Sequence, residues 1–139
     1  MLLGELLTLR QQQLPVKIVV LNNNALAFVE LEMKADGFVN FGTDLTNPNF
    51  AELARAAGLH GVRVERPGEL DGALREAFDH DGPAVVDVVT VRHELAIPPG
   101  VDFEQAKGFT LWATRSILSG AGDDVIEVAG ANLRQLALE

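Results

Sequence analysis

Apolar and polar residues fall in blocks along this chain, and the spacing inside each block predicts an element. From Val16 to Leu21 the chain is apolar except for Lys17. The run is too short for a typical helix and is rich in β-branched residues. It predicts a strand buried on both faces, in the middle of a parallel sheet. It stops at Asn22-Asn23-Asn24, which places amides at the strand's carboxyl end, where open α/β sheets bind ligands. Ala25 to Met33 then predicts a helix with Ala25, Phe28, Val29 and Glu32 on one face.

Upstream, Leu2, Leu3, Leu6, Leu7 and Leu9 predict a buried helix ending in Arg10-Gln11-Gln12-Gln13 before Leu14-Pro15. Its apolar first turn has no capping residue before it, as expected of a helix whose beginning is missing. Downstream, Lys34 to Pro48 reads as a polar loop, and its aromatics Phe38 and Phe41, with Phe50 just beyond, read first as packing residues. Asn47 and Pro48 suit the cap and first turn of a helix with Phe50, Leu53, Ala54 and Ala57 inward and Gly58 as its stop. A short strand follows from His60 to Glu65. Pro67 opens a helix with Leu70, Ala73, Leu74, Ala77 and Phe78 in register.

Ala84 to Val91 is a second apolar strand, broken only by Asp87 and Thr90. Three strands joined by helical crossovers predict an α/β fold: three layers, a mostly parallel sheet flanked by helices. The expected division places this α/β part in residues 1–91, with a linker and a helical C-terminal tail in 92–139. Arg92-His93-Glu94 and Ile97-Pro98-Pro99-Gly100 form the stiff linker. Two helices follow, Phe103 to Leu118 and Asp123 to about Leu138. The first carries Phe109, Trp112, Ala113, Ser116 and Ile117 on one side, the second Ile126, Ala129, Leu133, Leu136 and Ala137.

Charge and composition narrow the function. A net charge of −9 over 139 residues excludes sequence-independent affinity for nucleic acid. Between Val101 and Glu139 six acids face three bases, whereas a membrane-surface helix carries a basic polar face; docking on protein is the expected state of this tail. With no cysteine there is no disulfide, thiolate metal site or cysteine nucleophile. No apolar run reaches membrane-spanning length, and a cytoplasmic α/β domain is expected. His60, His80 and His93 share no spacing and read as surface residues. No Ser-His-Asp order, phosphate-cradling glycine loop or HExxH pair occurs.

The stretch LPVKIVVLNNNALAFVELEMKA, with ELAIPPGVDFEQAKGF and SGAGDDVIE further on, resembles the C-terminal part of pyruvate oxidases. These are thiamine diphosphate (ThDP) enzymes, and the resemblance is strongest to the quinone-dependent pyruvate dehydrogenases of bacteria. It covers all but about the last seven residues. The family's cofactor fingerprint runs from Gly-Asp-Gly to paired asparagines, and only the second half stands here, as Asn22-Asn23. The resemblance therefore implies a partial ThDP-binding domain, truncated at its N-terminus.

It also implies a site. Asn23 would be a side-chain ligand of Mg²⁺ and Ala25 a main-chain carbonyl ligand, while Asn24, Leu26, Ala27 and Phe28 would line the diphosphate. Phe28, Val29 and Glu32 would face the thiazolium and pyruvate, with Glu32 placed for proton transfer or as a fixed charge. FAD would sit on a domain absent here, and the electrons of pyruvate oxidation to acetate and CO₂ would pass to a quinone. The implied partners are the missing N-terminal domains, further copies in a homo-oligomer, and a peripheral contact of the tail with the inner face of the cell membrane. Two other readings stay open: a fragment of an acetolactate synthase-like enzyme, which shares the asparagine motif, and a truncated domain that folds without catalysing. By themselves three asparagines more often make a turn than a metal site, and Glu32 alone would be a solvated helix residue.

Overall fold

The computed structural model describes residues 3–92 and 103–136, the last five of these as backbone only. The chain forms two compact units. One comprises the chain to Asn23 and Thr46–Thr90; the other comprises Asn24–Leu45 and the chain from Val91 onward.

The first unit contains α1 (Glu5–Gln12), β1 (Lys17–Asn22), α3 (Phe50–Ala56), β2 (His60–Val64), α4 (Leu70–Asp79) and β3 (Ala84–Val89). A short 3-10 turn, Pro67–Glu69, leads into α4. The strands form one parallel sheet in the order β1-β3-β2, with Lys17 and His60 both in register with Ala84. Ala73 and Ala77 of α4 pack on Val64, Val86 and Val88. Leu6 of α1 and Ala54 of α3 pack with Leu59 and Val85 in a second cluster. The expected three-layer α/β arrangement with a parallel sheet is therefore present.

The middle strand is β3, not β1. β3 is buried over Ala84–Val88, while β1 lies at the edge and leaves Leu21 71% exposed. An apolar run reports only that a strand can be buried; strand order decides whether it is. The first helix is similarly displaced. It begins at Glu5 and buries only Leu6, with Leu3 and Leu7 exposed; Leu2 lies outside the described residues. On α4, Phe78 faces outward although its spacing matched the buried stripe.

Helix α3 is capped by Asn49, whose side-chain oxygen accepts from Glu52 N at 3.0 Å. The expected cap, Asn47, lies outside the helix. Gly58 ends the segment with a left-handed φ of 81°, a conformation open to glycine. Gly61 is demanded by packing: a Cβ there would lie 2.2 Å from the Ala51 carbonyl oxygen, so α3 meets β2 backbone to backbone.

The second unit contains α2 (Ala27–Ala35), α5 (Phe103–Leu118) and α6 (Gly122–Leu136). A Cβ on Gly108 of α5 would lie 1.5 Å from the Ala35 carbonyl oxygen, so α5 and the end of α2 touch through backbone. Gly108, Trp112 and Ser116 are the buried face of α5, while Ile117 points outward. On α6, Ile126 and Ala129 are exposed and Ala131 is buried, which rotates the expected stripe. The side chains of Leu133 and Leu136, and Ala137 and Leu138 entirely, lie outside the described residues, as does most of the expected linker. Phe38 and Phe41 are exposed rather than packed, whereas Phe50 is buried.

Both glycines make the same kind of prediction. Gly61→Ala and Gly108→Ala should each lower unfolding stability by roughly 1–3 kcal/mol, the usual cost of overpacking a close contact. Chemical denaturation of each variant measures it, and an unchanged midpoint for Gly108→Ala would contradict the α2–α5 contact.

Candidate functional site

In the first unit, polar chemistry gathers at the carboxyl end of the sheet. Asp87 of β3 has no exposed surface, and a buried carboxylate is tolerated only when charges and donors meet it. Its Oδ2 accepts from Arg63 Nη1 at 2.7 Å and from the Phe50 backbone N–H at 3.1 Å. Its Oδ1 accepts from Asn22 Nδ2 at 3.1 Å, and Asn22 Oδ1 accepts from Asn47 Nδ2 at 2.9 Å. Arg63 also binds Glu65 at 2.8 Å, and hydrogen bonds to Glu65 and then Asp87 raise its pKa. Asn22 is thus a buried anchor, and Asn23, half-buried, follows it as the last residue of this unit.

In the second unit, Asn24 takes a left-handed φ of 55°, which asparagine tolerates better than most residues. Ala25 and Asp44 form an antiparallel bridge, flanked by Leu26 N–H to Thr43 O and Leu45 N–H to Asn24 O, both 2.9 Å. Helix α2 then presents two faces. Phe28 is 79% exposed, and Val29 and Glu32 are exposed on the same side. Leu26 and Asn24 are exposed, Ala27 half-buried and Ala25 buried.

The opposite face holds charges that the periodicity did not single out. Glu30 is 2% exposed and Lys34 0%. Glu30 Oε1 accepts from Lys34 Nζ at 2.7 Å and from Asn40 Nδ2 at 2.8 Å, and its Oε2 accepts from Arg92 Nη2 at 3.2 Å. The Lys34 ammonium lies 5.0 Å from the centre of the Trp112 ring, a cation–π contact. Burial pushes the Glu30 carboxyl up, but the hydrogen bond and charge of Lys34, with Arg92 beside it, outweigh burial and hold its pKa below the ordinary value. Glu30 and Lys34 stand four residues apart, an ion-pair spacing, and that signal could have found them. Asp87 was visible only as a break in an apolar strand.

Two of the histidines meet. His60 and His80 stack with ring centres 4.7 Å apart, and His60 Nε2 lies 2.9 Å from Glu76 Oε1; His80 is exposed and His60 half-buried, and His93 lies outside the described residues. Among the described residues no group of three acids, histidines or cysteines could hold a metal, and no helix is long and apolar enough to cross a membrane.

Residues 1–88 match the family model of the thiamine pyrophosphate enzyme C-terminal TPP-binding domain. The chain belongs to that family. It is 34% identical over 116 residues to YdaP of Bacillus subtilis, provisionally named as a thiamine pyrophosphate-containing protein, covering 84% of this chain and 20% of YdaP. It is 36% identical over 101 residues to the acetolactate synthase isozyme 2 large subunit of Escherichia coli, covering 69% of this chain and 18% of that subunit. It is 34% identical over 95 residues to the mitochondrial acetolactate synthase of Schizosaccharomyces pombe, covering 68% and 14%. The chain therefore spans about a fifth or less of the curated relatives it matches. The TPP-binding region takes in the Asn22–Asn24 stretch, α2, β1, β2 and β3 up to Val88. The donors present suit a hard cation in part: an asparagine oxygen and main-chain carbonyls are neutral oxygen ligands, as magnesium requires.

The buried pair on α2 makes a pH-dependent prediction. The folded pKa of Glu30 lies below its unfolded value, so its contribution is fully present above about pH 4.3 and is lost as pH falls through the folded value. Glu30→Gln strands the Lys34 charge and should cost about 3–5 kcal/mol at neutral pH. Urea denaturation from pH 7 to pH 3 should show that gap narrowing at the acid end. A gap independent of pH would contradict an ionised Glu30.

Proposed function

We propose that this chain is the C-terminal, cofactor-binding part of a pyruvate oxidase-type enzyme that decarboxylates pyruvate oxidatively to acetate and CO₂. The observation that carries the reading is the outward face of α2, where Phe28, Val29 and Glu32 stand exposed just after the asparagine run. In this reading Asn23 offers its side-chain oxygen and Ala25 its carbonyl to Mg²⁺, and Asn24 to Phe28 run along the diphosphate. The α2 face meets the thiazolium and pyruvate. When bound, thiamine diphosphate supplies a carbon nucleophile and an electron sink for decarboxylation. Phe28 and Val29 exclude water from the reacting carbon, and the Glu32 carboxylate holds or moves a proton beside it. FAD and a quinone would accept the electrons on parts of a longer enzyme, an oligomer in the cytoplasm with peripheral membrane contact.

The ELAIPPGVDFEQAKGF stretch, which resembles the oxidases, supports the oxidase. Acetolactate synthase chemistry is the second reading, favoured by the number of such enzymes among the relatives. The product separates the two: an enzyme carrying this C-terminal sequence should release acetate from pyruvate, and acetolactate formation without acetate would overturn the oxidase.

In that enzyme, Asn23→Ala should raise the Mg²⁺ and ThDP needed for half-maximal activity, with saturating cofactor recovering part of the rate. Glu32→Gln should leave cofactor affinity nearly intact and lower pyruvate turnover by about a hundredfold or more. Steady-state kinetics against each ligand separates the two, and full turnover in the Gln variant would move the substrate off the α2 face.

By itself the 139-residue chain should bind ThDP and Mg²⁺ weakly and leave pyruvate unconverted, because two neutral oxygens compensate little of the diphosphate charge. Calorimetric titration measures this, and low-micromolar affinity would contradict it.

A further inference from the structure

The segment Asn24–Leu26 is held from the side by Thr43–Leu45. The two backbone bonds fall on either side of the Ala25–Asp44 pair, Leu26 N–H to Thr43 O and Leu45 N–H to Asn24 O. In an antiparallel ladder that makes Ala25 and Asp44 a non-hydrogen-bonded pair, whose side chains lie close on one side of the ribbon. The direction of the Ala25 carbonyl is therefore set by the bonds of its two neighbours. A two-bond ribbon has little stability alone, so something else must hold Thr43–Leu45 in place.

Arg92 meets that need. Its Nη2 binds an Asp44 carboxylate oxygen and, at 3.2 Å, Glu30 Oε2 on the buried face of α2. One guanidinium nitrogen thus links the supporting segment to the helix that continues directly from Leu26. Glu30 is itself locked by Lys34 and Asn40, so the link ends on a fixed point. Arg92 lies past residues 1–88, beyond the stretch matched by the TPP-binding family model. We propose that Arg92 is a positioning residue: through Asp44 and Glu30 it holds Asn24–Leu26 in the conformation that aims the Ala25 carbonyl. Its importance for cofactor binding rests on the reading of that segment given above; its action on the backbone does not.

Amide hydrogen exchange by NMR on the whole chain tests it. Arg92→Met should speed exchange at the Leu26 and Leu45 N–H groups by about tenfold or more, the scale of a lost charged hydrogen bond. Amides in the middle of α5 and in β3 should keep their rates. Arg92→Lys retains the charge but not the planar fork, and should recover part of the protection. Asp44→Asn removes the same link without disturbing Glu30, and should reproduce the Leu26 and Leu45 effect even if the Met variant does not fold. Unchanged exchange at these two amides, or a rise spread uniformly through α2 and α5, would overturn the proposal.

A separate arm titrates Mg²⁺ with thiamine diphosphate into the same labelled chain. Shifts centred on Asn23 to Phe28, weaker in Arg92→Met, carry the positioning through to the cofactor. Shifts elsewhere would overturn the cofactor reading of the segment, while the exchange rates still decide what Arg92 does to the backbone.

Discussion

A carboxylate without solvent stands at the centre of the sheet, and its demand for partners organises the first unit. Left unpaired, Asp87 would cost several kcal/mol; instead three donors converge on it from β1, β2 and the first residue of α3. Meeting that demand brings the end of β1, the side of β2 and the start of α3 to one point. It also immobilises Asn22, which in turn holds Asn47. Apolar packing against α1, α3 and α4 supplies the driving force for the sheet, but it is nondirectional and would accept other registers. The Asp87 network is directional and specifies one.

The second unit meets the same problem with an ion pair. Lys34 and Glu30 are both withdrawn from water within α2, and each is satisfied: the ammonium by the carboxylate and the Trp112 ring, the carboxylate by Lys34, Asn40 and Arg92. Burying charge on one face of α2 leaves the apolar residues Phe28 and Val29 on the other, reversing the usual allocation of polar and apolar positions. Both faces of α2 fall within the stretch matched by the TPP-binding family model.

Asn24 answers to a backbone constraint. It takes a left-handed φ of 55°, a conformation that asparagine tolerates better than most residues, so the chain turns there without demanding glycine.

The elements and their class were legible from the residues themselves. Apolar runs of strand length at Val16–Leu21 and Ala84–Val91, separated by helical spacing, point to a parallel α/β layer whatever the order of its strands, because helical crossovers between strands favour parallel pairing. The motif words likewise carried the thiamine diphosphate enzyme family at the level of its TPP-binding domain. Tertiary structure alone decided which strand lies in the middle, since β1 and β3 read alike and only pairing on both sides distinguishes them. It also decided that Asn47 serves Asn22 rather than capping α3, because a side-chain amide fits either task and the nearer Asn49 takes the cap. And it decided that Glu30, Lys34 and Asp87 lie inside. Periodicity scores charges as solvent-facing, and the partners that make their burial affordable come from positions up to 65 residues away along the chain, a separation no local pattern can read.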